Sequence, residues 1–340
     1  MRIGKVPENV LKRAVFRQIR ARQSQTVWGP GIGRDCAGIK LSEGEILLTC
    51  MQEAYVAAGR ETLGRLRLSG QEGQFRGVEP FMTMSALIQK CANNLAAGGA
   101  RPVAVLLTLL LPETMQEPEL RALMAEAEEK CQELSMQVVG GQTRVTRGTL
   151  LPMAVAAGYG AAEEEYCGRL AGARPGEEIV LSKWIGLYGT ALLAARHRER
   201  LLERFPGFLV EEARGFERYL SILPEARIAW AKGASSLHDA SEGGILGALW
   251  EMAERAGTGL EADMRKLPLR QETVEICEVC GENPYLLSSG GCLVMTTPDG
   301  AGLAAALEKE HIPAAVVGRI TEGNDRILVN EGEIRYLDRP

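Results

Sequence analysis

Two domains of mixed helix and strand, α/β or α+β in class, are what this sequence predicts, and three observations carry that expectation. At 340 residues the chain holds two domains of roughly 150 residues each. Runs that read as strands alternate with runs of helical spacing in two successive halves, so two layers sharing an interface are expected. The polar, glycine-bearing stretch EEEYCGRLAGARPGEE separates the halves, which sets the boundary near residue 165 and gives domains 1–165 and 166–340.

The elements follow in order. The N-terminus, MRIGKVPENVLKRAVF, is amphipathic but has no compact apolar core before a small-residue cleavage site, so it reads as mature protein. GEILLTC, residues 44–50, reads as a strand. From Phe81 onward, Met84, Leu87, Ile88, Cys91 and Leu95 follow helical spacing, and Gly98-Gly99 end that helix. PVAVLLTLLLP is a buried strand, Glu117 to Met136 a charged amphipathic helix, QVVGG the next strand and TLLPMAVAAGYG the last of this half. In the second half GEEIVLSKWIG reads as strand then loop, and Leu187 to Phe205 as a helix. A helix opening at Gly243-Gly244 carries Ile245, Leu249, Met252 and Ala256 on one face. The strands GGCLVMTTP and AAVVGRI then flank an alanine-rich helix.

Composition narrows the function. Hydrophobic residues make up 46% and charged residues 24%, which is a globular balance rather than a disordered one. A net charge of -5 argues against a nucleic-acid binder. The basic cluster RHRER, Arg196 to Arg200, reads as the solvated face of a helix. The longest apolar run, Val103 to Pro112, falls short of the roughly 20 residues a spanning helix needs, so no membrane partner is expected. The eight cysteines are scattered through apolar patterns, the usage of reduced thiols in a cytoplasmic protein. Cys277 and Cys280 form a lone CxxC, and two helical cysteines packed into a core is the preferred reading over zinc.

Three stretches offer binding chemistry. VVGGQTRVTRG places β-branched Val138 and Val139 before Gly140 and Gly141, which permit a turn or a close backbone approach. Gln142, Thr143, Arg144 and Arg147 follow, so this loop suits a phosphate yet offers no carboxylate to Mg²⁺. His238 and Asp239 are neighbours whose side chains should diverge, and Asp239 or Ser241 is expected to cap the helix at Gly243. Glycine-bearing helix N-termini also take anions, which gives this segment a ligand-binding reading. Lys183 in SKWIGLYG precedes another glycine-opened helix and stands either as a phosphate contact or as an exposed loop lysine. Trp184 and Trp250 read as packing residues.

The ordered set GIGRDCAGI, NNLAAGGARPVAVLLTLLLP, VVGGQTRV, IGLYGTALLAAR, LHDASEGGILGAL and VGRITEG resembles the superfamily of aminoimidazole ribonucleotide synthetase (PurM) and the hydrogenase maturation factor HypE. HDASEGG and SSGGCL look closest to its HypE-like, AIR synthase-related members. The resemblance implies an α+β, PurM-like two-domain fold, with an N-terminal domain that forms a barrel-like sheet with a twin subunit and a C-terminal α/β sandwich. It further implies a homodimer that holds ATP at its interface, with acids from four loops, written GDDAA, TTD or STD, ND and GGDT, holding Mg²⁺ and the triphosphate.

The matching positions depart from that pattern. GRDCA keeps Asp35 but has Arg34 beside it; Cys50, Asn94 and Gln142 stand where aspartates are implied; HDASEGG keeps Asp239, with Glu242 close by. The nucleotide or phosphate set that follows is Asp35, Cys50, Asn94, Gly140, Gly141, Gln142, Thr143, Arg144, Lys183, His238 and Asp239, with Asp35 and Asp239 as the remaining metal candidates. Acids in such loops make sense when divalent cations separate them from phosphates. Neutral amides are weaker ligands for hard Mg²⁺ and sulfur is too soft, so Mg²⁺ dependence is expected to be largely lost, while Arg34 and Arg144 supply positive charge without a metal. Carbamoyl transfer in the HypE manner uses a C-terminal cysteine, whereas the sequence shows none after Cys292, so that reaction is not expected. ATP-dependent activation of an oxygen on a small substrate is the enzymatic reading, and a non-catalytic ligand-binding or scaffold protein is its rival. A thiol-dependent site built on Cys36 and Cys50, in two loops brought near the nucleotide, is a third.

Overall fold

Alternation of side chains along extended strands builds the first of two sheets. The computed structural model describes residues 8–21, 23–57, 82–164 and 172–337. The expected domain boundary near residue 165, the first residues of the N-terminal segment, Phe81 and the end of the C-terminal tail lie outside the described residues.

The first sheet comprises β1 (Thr26–Trp28), β2 (Ala37–Ser42), β3 (Glu45–Tyr55), β4 (Arg101–Leu111), β5 (Gln137–Val145) and β6 (Met153–Glu163), in the order β1-β2-β3-β6-β4-β5. On β4, Val105, Leu107, Leu109 and Leu111 are buried, and Ala154 and Ala156 of β6 lie opposite Leu109 and Leu107. These side chains form one core with helices α1 (Met84–Ala97) and α2 (Glu117–Glu133). The Thr83 side chain caps α1 by accepting from Ala86 N, which satisfies one orphan donor and contributes about 1 kcal/mol. The other face stays open. Met51 is 62% exposed and Val103 39% exposed, and Leu106 and Leu110 are only half-buried.

The second sheet orders β7 (Glu178–Ser182), β8 (Ser236–Asp239), β9 (Gly259–Asp263), β10 (Leu293–Thr297), β11 (Ala314–Thr321), β12 (Arg326–Asn330) and β13 (Glu333–Tyr336) as β13-β12-β9-β11-β7-β10-β8. Helices α3 (Leu187–Arg196), α4 (Arg198–Leu202), α5 (Gly207–Arg214), α6 (Leu223–Ala231), α7 (Gly244–Ala256), α8 (Gln271–Cys280) and α9 (Gly300–Lys309) complete this half. Ile179, Leu181 and Val294 pack toward Ile245, Leu249 and Met252 of α7, whereas Val180, Leu293 and Met295 pack toward Ala226 of α6 and Leu303 of α9. Strands buried on both faces explain why β7 and β10 read as continuous apolar runs.

Helix α1 joins the two halves. Nearly all its residues are buried because the first sheet lies on one side and the second half on the other. Asn93 Nδ2 donates to Leu220 O at 2.7 Å, and Trp230 Nε1 donates to Ala96 O at 3.1 Å. Among the described residues, no helix is long and apolar enough to cross a membrane.

Several expectations need correction. The helix expected over Leu187 to Phe205 breaks at His197, whose backbone leaves the helical region, and resumes as α4. Gly140 and Gly141 do not end a strand. They sit inside β5, which runs on to Val145 beside β4, because missing side chains let the two backbones approach closely. A Cβ on Gly141 would lie 1.7 Å from Leu107 O. Cys50 belongs to strand β3 rather than to a loop. Strands β8, β9, β12 and β13 are each only four or five residues long, too short for their own hydrophobic period to announce them.

Candidate functional site

The short strand β8 delivers buried polar groups to the line where the two halves meet. It is buried at every residue, and it ends in His238 and Asp239. The two side chains do diverge. His238 Nδ1 lies 2.9 Å from Oδ2 of Asp35, and its Nε2 lies 3.2 Å from Oε2 of Glu251. Asp35 comes from the loop before β2 in the first domain, while Glu251 comes from α7 in the second. Burial lowers the imidazole pKa, but the charge and contact of Asp35 and then Glu251 outweigh it and raise it to about 9. His238 is therefore a cation held between two carboxylates at neutral pH.

Asp239 points elsewhere. Its Oδ2 accepts from Ser241 Oγ at 2.7 Å, and its Oδ1 is buried without a hydrogen-bond partner. Burial pushes its pKa up to about 6, against the opposing pull of Ser241 and Lys90. The cap expected from Asp239 or Ser241 on α7 is not made: Gly243, at φ 78°, is the N-cap and has no side chain to accept from the first-turn N–H groups. The two side chains bond each other instead.

Lys90 lies across this cluster on α1. Its side chain is 4% exposed, and its ammonium sits 3.9 Å from Oε1 of the half-exposed Glu242. One turn further on, the Asn94 carbonyl accepts from Cys36 Sγ at 3.1 Å. Cys50 faces the same helix, with its Sγ 3.4 Å from the Cys91 carbonyl. Arg255 ties the first-domain loop to the second domain, donating to Gly33 O at 3.2 Å and to Leu237 O at 3.3 Å, with a further bond to Ser236 Oγ. Gly33 is needed for that fit. It has φ 67°, and a Cβ there would lie 2.4 Å from Glu251 O.

Thus Asp35, Cys50, Asn94, His238 and Asp239 gather around one junction, but the rest of the sequence-derived set does not. Gly140, Gly141, Gln142, Thr143 and Arg144 lie on β5 at the far edge of the first sheet, exposed. Two strands separate β5 from β3, which at about 4.8 Å per strand puts roughly 14 Å between them. Lys183 is not an exposed loop lysine, and its charge is taken up by protein acceptors. Its ammonium donates to Tyr219 O at 2.8 Å, Ser221 O at 2.6 Å and Glu225 Oε1 at 2.6 Å, all around a buried side chain. Trp184 meets Tyr219 edge-on at 5.4 Å, and Trp250 is buried with Arg326 over its ring at 4.5 Å. Cys277 is buried on α8 and its thiol pKa is pushed up to about 12 by burial. Among the described residues, no three His, Cys, Asp or Glu side chains are grouped to hold a metal.

The sequence reading missed Lys90, Ser241 as a partner of Asp239, Glu251 and Arg255. Lys90 left a signal: it is the one charge in MSALIQKCANNLAA, a helix otherwise apolar enough to be buried. Glu251 and Arg255 left none, because a polar residue on an amphipathic helix normally faces solvent.

Comparison with known proteins places this geometry. Residues 69–161 match the AIR synthase related protein N-terminal domain, and residues 174–330 match the C-terminal domain of the same family. Carbamoyl dehydratase HypE of Rhodobacter capsulatus is 32% identical over 258 residues, covering 72% of this chain and 73% of that protein. This chain belongs to the PurM/HypE superfamily. Two solved structures share its fold: AaThiL complexed with AMPPCP and TMP, at TM-score 0.67 and 20% identity over 98% of this chain and 96% of that one, and a hydrogenase maturation protein HypE in complex with ATP, at TM-score 0.63 and 16% identity over 98% and 94%. The two sheets thus form the two-domain PurM-like fold.

Proposed function

We propose that this PurM/HypE-superfamily chain binds ATP or another phosphorylated ligand at the junction of its two domains, as a homodimer, with little dependence on Mg²⁺. The observation that carries the reading is the buried polar cluster itself: Lys90 from one domain and His238 from the other bring positive charge to a place where Asp239 Oδ1 lacks a partner. A buried, unsatisfied carboxylate oxygen costs about 1–3 kcal/mol, and a ligand donor meeting it recovers that cost. The solved relatives carrying ATP and AMPPCP support a nucleotide as the ligand class.

The dimer completes the site. Among the described residues the first sheet has two edges, β1 and β5, and an open face with apolar Met51, Leu106 and Leu110. Exposed edges and apolar faces are normally covered, and a two-fold partner covers both at once. Closure sets the β5 edge of one subunit beside the β1–β2 edge of the other, where Asp35 and Cys36 precede β2. Gln142, Thr143 and Arg144 of β5 then serve the partner's junction, with Arg144 neutralising phosphate.

The donor set does not suit Mg²⁺. Asp35 is engaged by His238 through one oxygen, Cys50 offers sulfur, Asn94 and Gln142 offer amides, and Asp239 keeps one buried carboxylate oxygen without a partner. Lys90 is the cation left to meet the bound group, since His238 is held by Asp35 and Glu251, and Asp239, near pH 6, is the group able to exchange a proton with the ligand. The rival reading, a ligand-binding or scaffold protein without turnover, is favoured by the ion pairing of Asp35, which removes an acid from catalytic use. Calorimetric titration with ATP, ADP and inorganic phosphate, each with Mg²⁺ and with EDTA, separates the alternatives. ATP binding preserved in EDTA supports the proposal, and binding lost in EDTA refutes it. Equal indifference to all three ligands leaves only the scaffold.

A further inference from the structure

Three thiols, those of Cys36, Cys50 and Cys91, meet on one side of β3. Ala37 of β2 pairs with Thr49 of β3 in antiparallel register, so one step outward sets Cys36 opposite Cys50. Directly opposed residues in such a ladder hold their Cα atoms about 4.5 or 5.5 Å apart and their Cβ atoms about 4.5–5.5 Å apart. Disulfides take Cα separations of about 4.4–6.8 Å, so the register places both cysteines within bridging range by a small Cβ approach. On the other side of β3 Cys50 faces Gly158, whose missing side chain leaves space for the sulfur: a Cβ there would lie 3.0 Å from Cys50 Sγ. Cys91 of α1 sits behind the pair and donates to Ala156 O at 3.4 Å, a bond that occupies it.

The pair is chemically unequal. Contact with the sulfur of Cys36, and then with that of Cys91, holds the Cys50 thiol well below the ordinary pKa despite burial, while contact with Cys50 and burial hold Cys36 well above it. Cys50 is therefore the nucleophile and Cys36 the resolving thiol. Both are nearly closed off, at 6% and 8% exposure, which admits a small oxidant more readily than a bulky one.

We propose that Cys36 and Cys50 form a dithiol that hydrogen peroxide closes reversibly to a disulfide. The Cys50 thiolate attacks one peroxide oxygen, the O–O bond breaks, and hydroxide leaves to take up a proton as water. The resulting sulfenic acid is attacked by the Cys36 thiolate, which forms the S–S bond and releases a second water. Overall, two thiols lose two electrons and two protons, and one peroxide becomes two waters. The bridge staples β2 to β3 one residue from Asp35 and removes the bond from Cys36 Sγ to Asn94 O.

The test is peptide mapping of the full-length chain, reduced, exposed to stoichiometric hydrogen peroxide while folded, then alkylated under denaturing conditions. The expected result is a Cys36–Cys50 linked peptide that dithiothreitol reverses, absent from Cys36→Ser and from Cys50→Ser and retained in Cys91→Ala. Should a serine variant fail to fold, the wild-type map decides alone. A Cys50–Cys91 link, over-oxidation of Cys50 without a link, or full alkylation of both thiols after peroxide would overturn the proposal. This readout is independent of any ligand, so its failure and the failure of the nucleotide reading are distinguishable.

Discussion

The domain junction and the β5 edge carry the two halves of the sequence-derived ligand set, and they are built in opposite ways. At the junction almost every charge is buried and held by a protein partner: His238 between Asp35 and Glu251, and Arg255 on three acceptors. Along β5 the side chains stand in solvent, and order comes from the backbone, where Gly140 and Gly141 lie against β4. Preorganisation by charge and preorganisation by backbone fail differently. Loss of one junction partner strands a buried charge. Loss of a β5 side chain leaves the fold untouched and removes only what that side chain does for a ligand or a partner subunit.

The largest effect is expected where the β5 backbone itself is attacked. Gly141→Val places a Cβ against Leu107 O at a φ of 140°, and separation of β5 from β4 should cost about 3 kcal/mol or more and take dimerisation with it. Urea unfolding and sedimentation check both parts. A stable dimeric variant would show that β5 does not need its glycine.

At the junction, His238→Gln keeps bulk and removes charge. Because the folded pKa is raised from 6.5 to about 9, the stabilisation is fully present below pH 6.5 and is lost as pH rises through 9. The shift corresponds to about 3 kcal/mol, so the variant should lag the wild type by that amount at pH 6 and match it near pH 10. A gap in melting free energy that does not change with pH would contradict the ion-pair account.

Asp239 has the opposite consequence for design. Its folded pKa of about 6 lies above the ordinary 3.8, so the ionised form destabilises the fold as pH rises through 6. Asp239→Asn should therefore raise stability at pH 8 by about 1–2 kcal/mol while weakening ligand binding. The smallest stability effect belongs to Arg144→Ala, within about 0.5 kcal/mol of wild type, since an exposed edge residue has little to lose. Its ATP affinity should still fall by roughly tenfold through loss of a charge-assisted bond. Unchanged affinity would remove β5 from the ligand site.

Much of this was legible in the sequence, for physical reasons. The alternation of β4 and β6 and the helical period of α1 survive in any window because each element buries one face against the same core. Asp35, Cys50, Asn94, His238 and Asp239 were assembled from ordered motifs and do converge. The sequence could not show that Asp35 is consumed by His238, because that contact joins residues about two hundred positions apart. It hid Lys183 as well: a loop lysine looks exposed until Glu225 and two carbonyls, dozens of residues away, close around it. The β5 glycines misled for a related reason. Glycine signals both a turn and a close strand approach, and only the neighbour, Leu107, decides between them.

The central claim is that one subunit's junction and its partner's β5 make a single ligand site, and subunit complementation tests it most directly. Asp239→Asn and Arg144→Ala chains, each deficient alone, are mixed, dissociated and reassociated, and ATP stoichiometry is measured at a concentration that saturates only intact sites. Half the dimers are then mixed, and each mixed dimer pairs one intact junction with one intact β5, so about a quarter of wild-type sites should return. No recovery in a sample shown to contain mixed dimers would contradict the account.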